Sequence, residues 1–154
     1  MPLWRYCLAA VPIVLIPEVL LVLSALVVCG LLGVDVSLIS APDRSASRSE
    51  FLWSVVIAPI VETVLLALGL NGLLSLTSNL RLVAIATAVA WGCFHAAFGF
   101  LWLFGTIWGF FIFSCSYLAW RSQSFGAAFA AAAVPHAIIN AATLLLLLFV
   151  DNAP

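Results

Sequence analysis

Few ionisable or strongly polar residues lie well inside the long apolar stretches of this sequence, and the notable ones are Glu18, Glu62, His95, His136 and Asn140. An ionisable side chain at the centre of a membrane helix costs about 3 kcal/mol on insertion scales, so we expect each to have a partner or a function. A carboxylate removed from water can act as a general base. Imidazole and amide N–H groups can hold the same water or stabilise a developing oxyanion. All of these residues except Glu18 therefore predict a hydrolytic site.

The spacing of these residues predicts that three helices bring them together. His136 and Asn140 are four residues apart and share one helix face. Glu62 lies about eleven residues into its apolar stretch, which is roughly 17 Å at 1.5 Å per residue. His95 lies toward the end of the next stretch. We therefore expect a carboxylate, an imidazole and an imidazole–amide pair to meet at one buried point.

The composition identifies the elements that must position these residues as membrane helices. Hydrophobic residues make up 66% of the 154-residue chain and charged residues 7%, whereas soluble domains carry about 25% charged residues. Each apolar stretch is close to the length of about 20 residues that a membrane span needs. The stretches run from about Leu8 to Leu32, Phe51 to Leu74, Leu82 to Phe98, Phe100 to Trp120 and Phe125 to Val150. The predicted fold is an all-α, polytopic membrane helical bundle of about five transmembrane helices, in one domain over residues 1–154.

The longest polar linker runs from Gly33 to Glu50 and contains Pro42. With five spans, Arg5, Arg81 and Arg121 lie on one side of the membrane, so the positive-inside rule predicts a cytoplasmic N-terminus and an external C-terminus. Arginine without lysine, in a chain rich in alanine and leucine, favours a bacterial cell membrane. A net charge of −1 leaves no basic patch for nucleic acid. The predicted partners are the lipid bilayer and a membrane-anchored protein or peptide.

Several other residues have structural interpretations. The four cysteines form no CxxC pair and are predicted to pack rather than to form disulfides or bind metal. Gly105 and Gly109 form a GxxxG pattern that is typical of helix packing. Pro12 and Pro17 are predicted to interrupt the first span, and Pro135 to free a backbone carbonyl beside His136. Glu18 is interpreted as structural or pore-facing, with no assigned role.

Three segments resemble, in order and in membrane context, the motifs of a known family. These are Pro59-Ile60-Val61-Glu62, the Trp91 to His95 segment, and His136-Ala137-Ile138-Ile139-Asn140. They are similar to the EExxxR, FxxxH and HxxxN motifs of the CPBP family, the intramembrane endopeptidases of CAAX prenyl protease and bacteriocin-processing type. The resemblance covers about Ala58 to Leu148. It implies that Glu62 and His95 activate the hydrolytic water, that His136 and Asn140 form the oxyanion site, and that the chain looks like a small bacterial sorting-type member.

The chain departs from the family pattern at three positions. The second glutamate falls on Thr63, the arginine on Ala67 and the phenylalanine on Trp91. The first two departures favour an alternative function, in which the chain is a catalytically impaired CPBP-like immunity or scaffold protein.

Two further alternatives involve cofactors. His95 and His136 could be the axial ligands of a bis-histidine haem protein, although Glu62 would then be a buried charge beside the haem. The same three residues could also bind zinc, since catalytic zinc commonly has three protein ligands. The sequence has no HExxH motif, which favours a metal-free glutamate mechanism. No cofactor is therefore the preferred prediction.

Overall fold

A computed structural model describes residues 1–40 and 47–151 and confirms the all-α prediction, since these residues form helices and no strand. The five helices are α1 (Leu3–Leu31), α2 (Arg48–Leu74), α3 (Leu80–Ala96), α4 (Trp102–Trp120) and α5 (Phe125–Asp151). Four of them are long and apolar enough to cross a membrane, and α3 is a shorter apolar helix. The 17 residues of α3 are at the lower limit of about 17–25 residues for a span. The chain is a membrane-embedded helical bundle.

The prediction that the prolines interrupt the first span is wrong, because α1 is continuous through Pro12 and Pro17. Proline has no N–H, so Pro17 leaves the carbonyl of Ile13, four residues earlier, without its helical donor. The indole N–H of Trp108 on α4 donates a hydrogen bond of 2.9 Å to this carbonyl. A donor from a neighbouring helix is one way in which lipid-embedded helices tolerate proline.

The predicted polar linker is shorter than expected at its end. Helix α2 already begins at Arg48, where the Ser47 hydroxyl accepts a hydrogen bond from the backbone N–H of Glu50 and so acts as an N-cap. The first part of the linker contains a 3-10 turn over Val36–Leu38. The predicted linker residues around Pro42 lie outside the described residues.

Helix α2 contains a π-helical turn over Trp53–Ile57, a feature often found at functional sites. In a π-helical pattern the carbonyl of Ser54 would accept from residue 59, but that residue is Pro59 and has no N–H. The side-chain amide of Asn140 on α5 donates to the Ser54 carbonyl instead, at 2.7 Å. The Ser54 hydroxyl donates to Glu50 at 2.9 Å. Pro59 thus leaves a carbonyl that links α2 to α5, as Pro17 leaves one that links α1 to α4.

Small side chains let the remaining helices approach closely, which is the main route to tight packing in lipid. A Cβ atom on Gly92 of α3 would overlap the side chain of Ile107 on α4, and Gly105 of α4 lies against Val22 and Glu18 of α1. The packing role predicted for the GxxxG pattern is therefore confirmed. The buried small residues of α3, α4 and α5 include Ala84, Thr87, Ala88, Ser114, Ser116, Ala128, Ala131, Ala132 and Ala133.

Candidate active site

The structure brings Glu62 of α2 and His136 of α5 together. The Oε2 atom of Glu62 lies 3.7 Å from the Nε2 atom of His136, and the two side chains are 22% and 10% exposed. Both helices run through the apolar bundle, so the contact lies in apolar surroundings. Charges interact more strongly there than in bulk water. A carboxylate and an imidazole in this arrangement can share a proton or hold a common polar group.

Aromatic side chains of α4 set the orientation of the His136 ring. Phe113 stacks on the imidazole with centroids 4.9 Å apart and an interplanar angle of 19°. Phe110 meets the same ring edge-on, at 5.6 Å and 76°. Both phenylalanines are 4% exposed, so their packing leaves the imidazole little freedom to rotate.

His95 lies in the last turn of α3 and is fixed by its own backbone. Its Nδ1 atom lies 3.0 Å from the carbonyl oxygen of Trp91. A carbonyl can only accept, so Nδ1 carries the proton in this contact. The rings of Trp91, Phe94, Trp102 and Phe110 lie within 6.0 Å of the imidazole centroid. A main-chain contact and the surrounding aromatic rings thus hold the imidazole of His95 in place.

Phe110 links the two histidines. Its ring centroid is 5.6 Å from the imidazole of His95 and 5.6 Å from that of His136, and Trp91 stacks on it at 4.5 Å. The sequence analysis did not single out Phe110 or Phe113. No signal in the sequence distinguishes them from the other phenylalanines of α4, because their role depends on which face of α4 meets α3 and α5.

Asn140 has a structural contact in addition to its predicted role. One N–H of its amide is used in the hydrogen bond to the Ser54 carbonyl. An asparagine amide has two N–H groups, so the predicted oxyanion role would depend on the other. Ser54 and Glu50, which the sequence analysis did not select, therefore connect the N-terminal end of α2 to the helix that carries His136.

The two main departures from the family pattern face the interior of the bundle. Thr63 is 2% exposed and Ala67 is 3% exposed. The side chains of Thr63 and Ala67 are short and uncharged. They therefore cannot interact with the carboxylate of Glu62 as a second acid or an arginine would. Glu18 lies on α1 and contacts α4 at Gly109.

Within residues 1–40 and 47–151, no three side chains of His, Cys, Asp or Glu converge as a metal-binding group. Comparison of the chain with protein-family models, with curated proteins and with solved structures gives no match. The functional interpretation therefore depends on the geometry of the residues themselves.

Proposed function

We propose that this chain is an intramembrane endopeptidase that hydrolyses a peptide bond of a membrane-anchored protein, with Glu62 as the general base. The observation that carries the proposal is the 3.7 Å separation between Glu62 Oε2 and His136 Nε2, two groups from different helices in an apolar bundle. The motif resemblance to the CPBP family supports the same reaction. The enzyme would lie in a bacterial cell membrane with its N-terminus in the cytoplasm.

The first step is activation of water. A water molecule bound to the carboxylate of Glu62, which lies 3.7 Å from His136, would be the nucleophile. Glu62 accepts a proton from this water, and the water oxygen attacks the carbonyl carbon of the scissile bond. His95, whose ring is held by the contact of Nδ1 with the Trp91 carbonyl, would orient the second O–H. General-base catalysis of this kind contributes about 10²–10⁴-fold.

The second step is collapse of the tetrahedral intermediate. The N–H of His136 Nε2 and the second amide N–H of Asn140 would donate to the oxyanion, and donors are most effective where water is excluded. The proton held by Glu62 passes to the leaving nitrogen as the C–N bond breaks. The products are a carboxylic acid and an amine, and Glu62 is again a carboxylate.

The alternative functions have less support. A haem plane between His95 and His136 would have to displace Phe110, whose ring contacts both imidazoles. The burial of Thr63 and Ala67 is compatible with an immunity or scaffold protein that lacks activity. That protein would have no use for a carboxylate–imidazole pair at a cost of about 3 kcal/mol per ionisable group.

The test measures cleavage without knowledge of the substrate. The protein is produced in a bacterial host, and new protein N-termini in the membrane fraction are quantified for the wild type, Glu62→Gln and His95→Ala. We expect N-termini that depend on the wild-type protein to fall by about 100-fold in both variants. Asn71→Ala, at an exposed position on the same helix, is the matched control and should leave them unchanged. Cleavage that persists in Glu62→Gln would contradict the proposal.

Metal dependence is measured in the same material. The purified protein is assayed for bound metal and for loss of cleavage on chelation. A metal-free glutamate mechanism predicts cleavage that resists chelation. Stoichiometric zinc, lost together with activity, would instead contradict the metal-free mechanism.

A further inference from the structure

Glu18 occupies a notch in α4 that only glycine can provide. A Cβ atom on Gly109 would overlap Oε1 of Glu18 and would lie 3.6 Å from Val14. One turn away, a Cβ on Gly105 would meet Glu18 and Val22 at ordinary contact distances of 3.7 Å and more. The carboxyl group is therefore seated at Gly109, while Gly105 only lies beside the stem of the side chain.

Three consecutive residues of α4 each make a different contact at this level of the bundle. Trp108 donates to the Ile13 carbonyl of α1, and Gly109 receives the Glu18 carboxyl. Phe110 contacts the imidazoles of His95 and His136. Gly109, which receives the Glu18 carboxyl, is thus followed directly in the chain by Phe110, whose ring contacts both histidines.

The choice of glutamate at this seat needs a reason. An apolar residue would fill a helix–helix groove without the cost of about 3 kcal/mol that an ionisable group has at membrane depth. A carboxyl group in a notch shaped for it, however, also resists rotation of α4 about its own axis. Such a rotation would drive the backbone of Gly109 against the carboxyl and would carry Phe110 away from the imidazoles.

We infer that Glu18 is a positioning residue of the proposed peptidase site, which holds the Phe110 ring against His95 and His136 through its seat at Gly109. The inference rests on the proposed function for its effect on turnover. The effect on the imidazoles can be measured separately, because the chain contains only two histidines. Protein labelled in the histidine rings therefore gives two ring signals in an NMR spectrum.

The central comparison is Gly109→Ala against Gly105→Ala. The kinetic probe is a membrane protein whose new N-terminus depends on the wild-type enzyme in the test above. We expect Gly109→Ala to displace the carboxyl, shift both histidine ring signals and lower kcat on this probe by about tenfold or more with little change in KM, since small misplacements of catalytic groups are costly. Gly105→Ala adds the same methyl group one turn away, where there is room, and should leave the signals and kcat within about twofold.

Two variants of Glu18 distinguish the effect of its planar polar head from that of an apolar side chain that only fills the groove. Glu18→Gln keeps the planar polar head and should behave as the wild type, whereas Glu18→Leu should reproduce the shifts and the loss of turnover seen with Gly109→Ala. A disulfide between Val22→Cys and Gly105→Cys, in a protein whose native cysteines are replaced by alanine, reports whether α1 stays docked in each Glu18 variant. A Cβ atom on Gly105 would lie 3.7 Å from Cγ2 of Val22, so the two positions face each other across the contact between α1 and α4.

Unchanged ring signals and unchanged kcat in both Gly109→Ala and Glu18→Leu would overturn the inference. So would a Glu18→Leu protein that is wild-type in both measurements while Gly109→Ala alone is impaired. If the ring signals shift as expected but no cleavage depends on Glu62, the proposed peptidase is wrong and the positioning of the two imidazoles by Glu18 stands.

Discussion

The indole N–H of Trp108 donates to the carbonyl of Ile13, the group that Pro17 deprives of its helical donor. Asn140 has the same relationship to the Ser54 carbonyl ahead of Pro59. In each case a proline creates an acceptor in lipid, and a side chain on another helix satisfies it. An acceptor left unsatisfied in the hydrocarbon region costs several kcal/mol, so each pair specifies which helices meet and at what level.

The first prediction concerns Trp108. Trp108→Phe keeps most of the ring but removes the donor, and we expect it to lower the free energy of unfolding by about 1–3 kcal/mol. Pro17→Ala restores an N–H that can donate to Ile13, so the double variant should recover most of this loss. Unfolding in mixed micelles of increasing denaturing-detergent content measures both. Strictly additive losses in the double variant would show that the carbonyl is not the reason for the contact.

The second prediction concerns Asn140. Asn140→Ala leaves the Ser54 carbonyl without its donor, and we expect a loss of about 1–3 kcal/mol of unfolding free energy. Ser54→Ala is the matched variant, because it removes only the hydroxyl contact with Glu50 and keeps the main-chain carbonyl. It should cost less than Asn140→Ala. Equal losses in the two variants would contradict the importance of the carbonyl.

The third prediction separates packing from chemistry at His136. His136→Phe keeps a ring that can stack on Phe113 but removes the Nε2 atom that faces Glu62. We expect the variant to fold with a stability within about 1.5 kcal/mol of the wild type, and to lose cleavage by about 100-fold or more. His136→Ala should lose both. A fully active His136→Phe protein would remove His136 from the proposed mechanism.

The fourth prediction concerns Asp35, which lies outside the membrane-spanning helices. The Ser37 hydroxyl and backbone N–H donate to its Oδ1 at 2.7 and 2.9 Å, and these hydrogen bonds lower the pKa of the carboxyl. Because the pKa is lowered in the folded state, the contribution of Asp35 to stability is present above its unfolded pKa. It is lost as the pH falls through the folded value.

An NMR titration of the Asp35 carboxyl carbon measures this shift. Ser37→Ala removes the hydroxyl donor, which is the larger cause, and should raise the pKa toward its ordinary value. Ser40→Ala, whose hydroxyl donates to the Val36 carbonyl, is the control and should leave the titration of Asp35 unchanged. An Asp35 pKa that does not respond to Ser37→Ala would contradict the assignment.

The helical fold could be predicted from the sequence because lipid restricts the choices. In lipid no water is present, so the backbone N–H and C=O groups must form hydrogen bonds within the protein. Apolar stretches of nearly 20 residues are long enough to span the membrane as helices. The ends and interruptions were harder to predict. Whether Pro17 breaks α1 depends on Trp108, which lies far away in the sequence, and no local pattern in α1 reveals that donor.

The candidate site shows the same limit. The spacing of His136 and Asn140 indicates a shared helix face, and the depth of Glu62 indicates a buried carboxylate. The Glu62–His136 separation follows from these once α2 and α5 pack together. The packing role of Gly109 was predicted from the GxxxG pattern, but its contact with the Glu18 carboxyl and the position of Phe110 between the histidines could not be predicted. Both depend on the rotation of α4 relative to three neighbours rather than on residue type.

The π-helical turn at Trp53–Ile57 also makes the two halves of α2 separately adjustable. Successive residues of a helix are about 100° apart around its axis. Deletion of one residue in this turn would therefore rotate Glu50 and the N-terminal end of α2 by about that angle relative to the rest of the helix. The half that carries Glu62 could keep its orientation toward His136. A change of chain length at this point, without any substitution, would thus alter what approaches the carboxylate and leave the carboxylate itself in place.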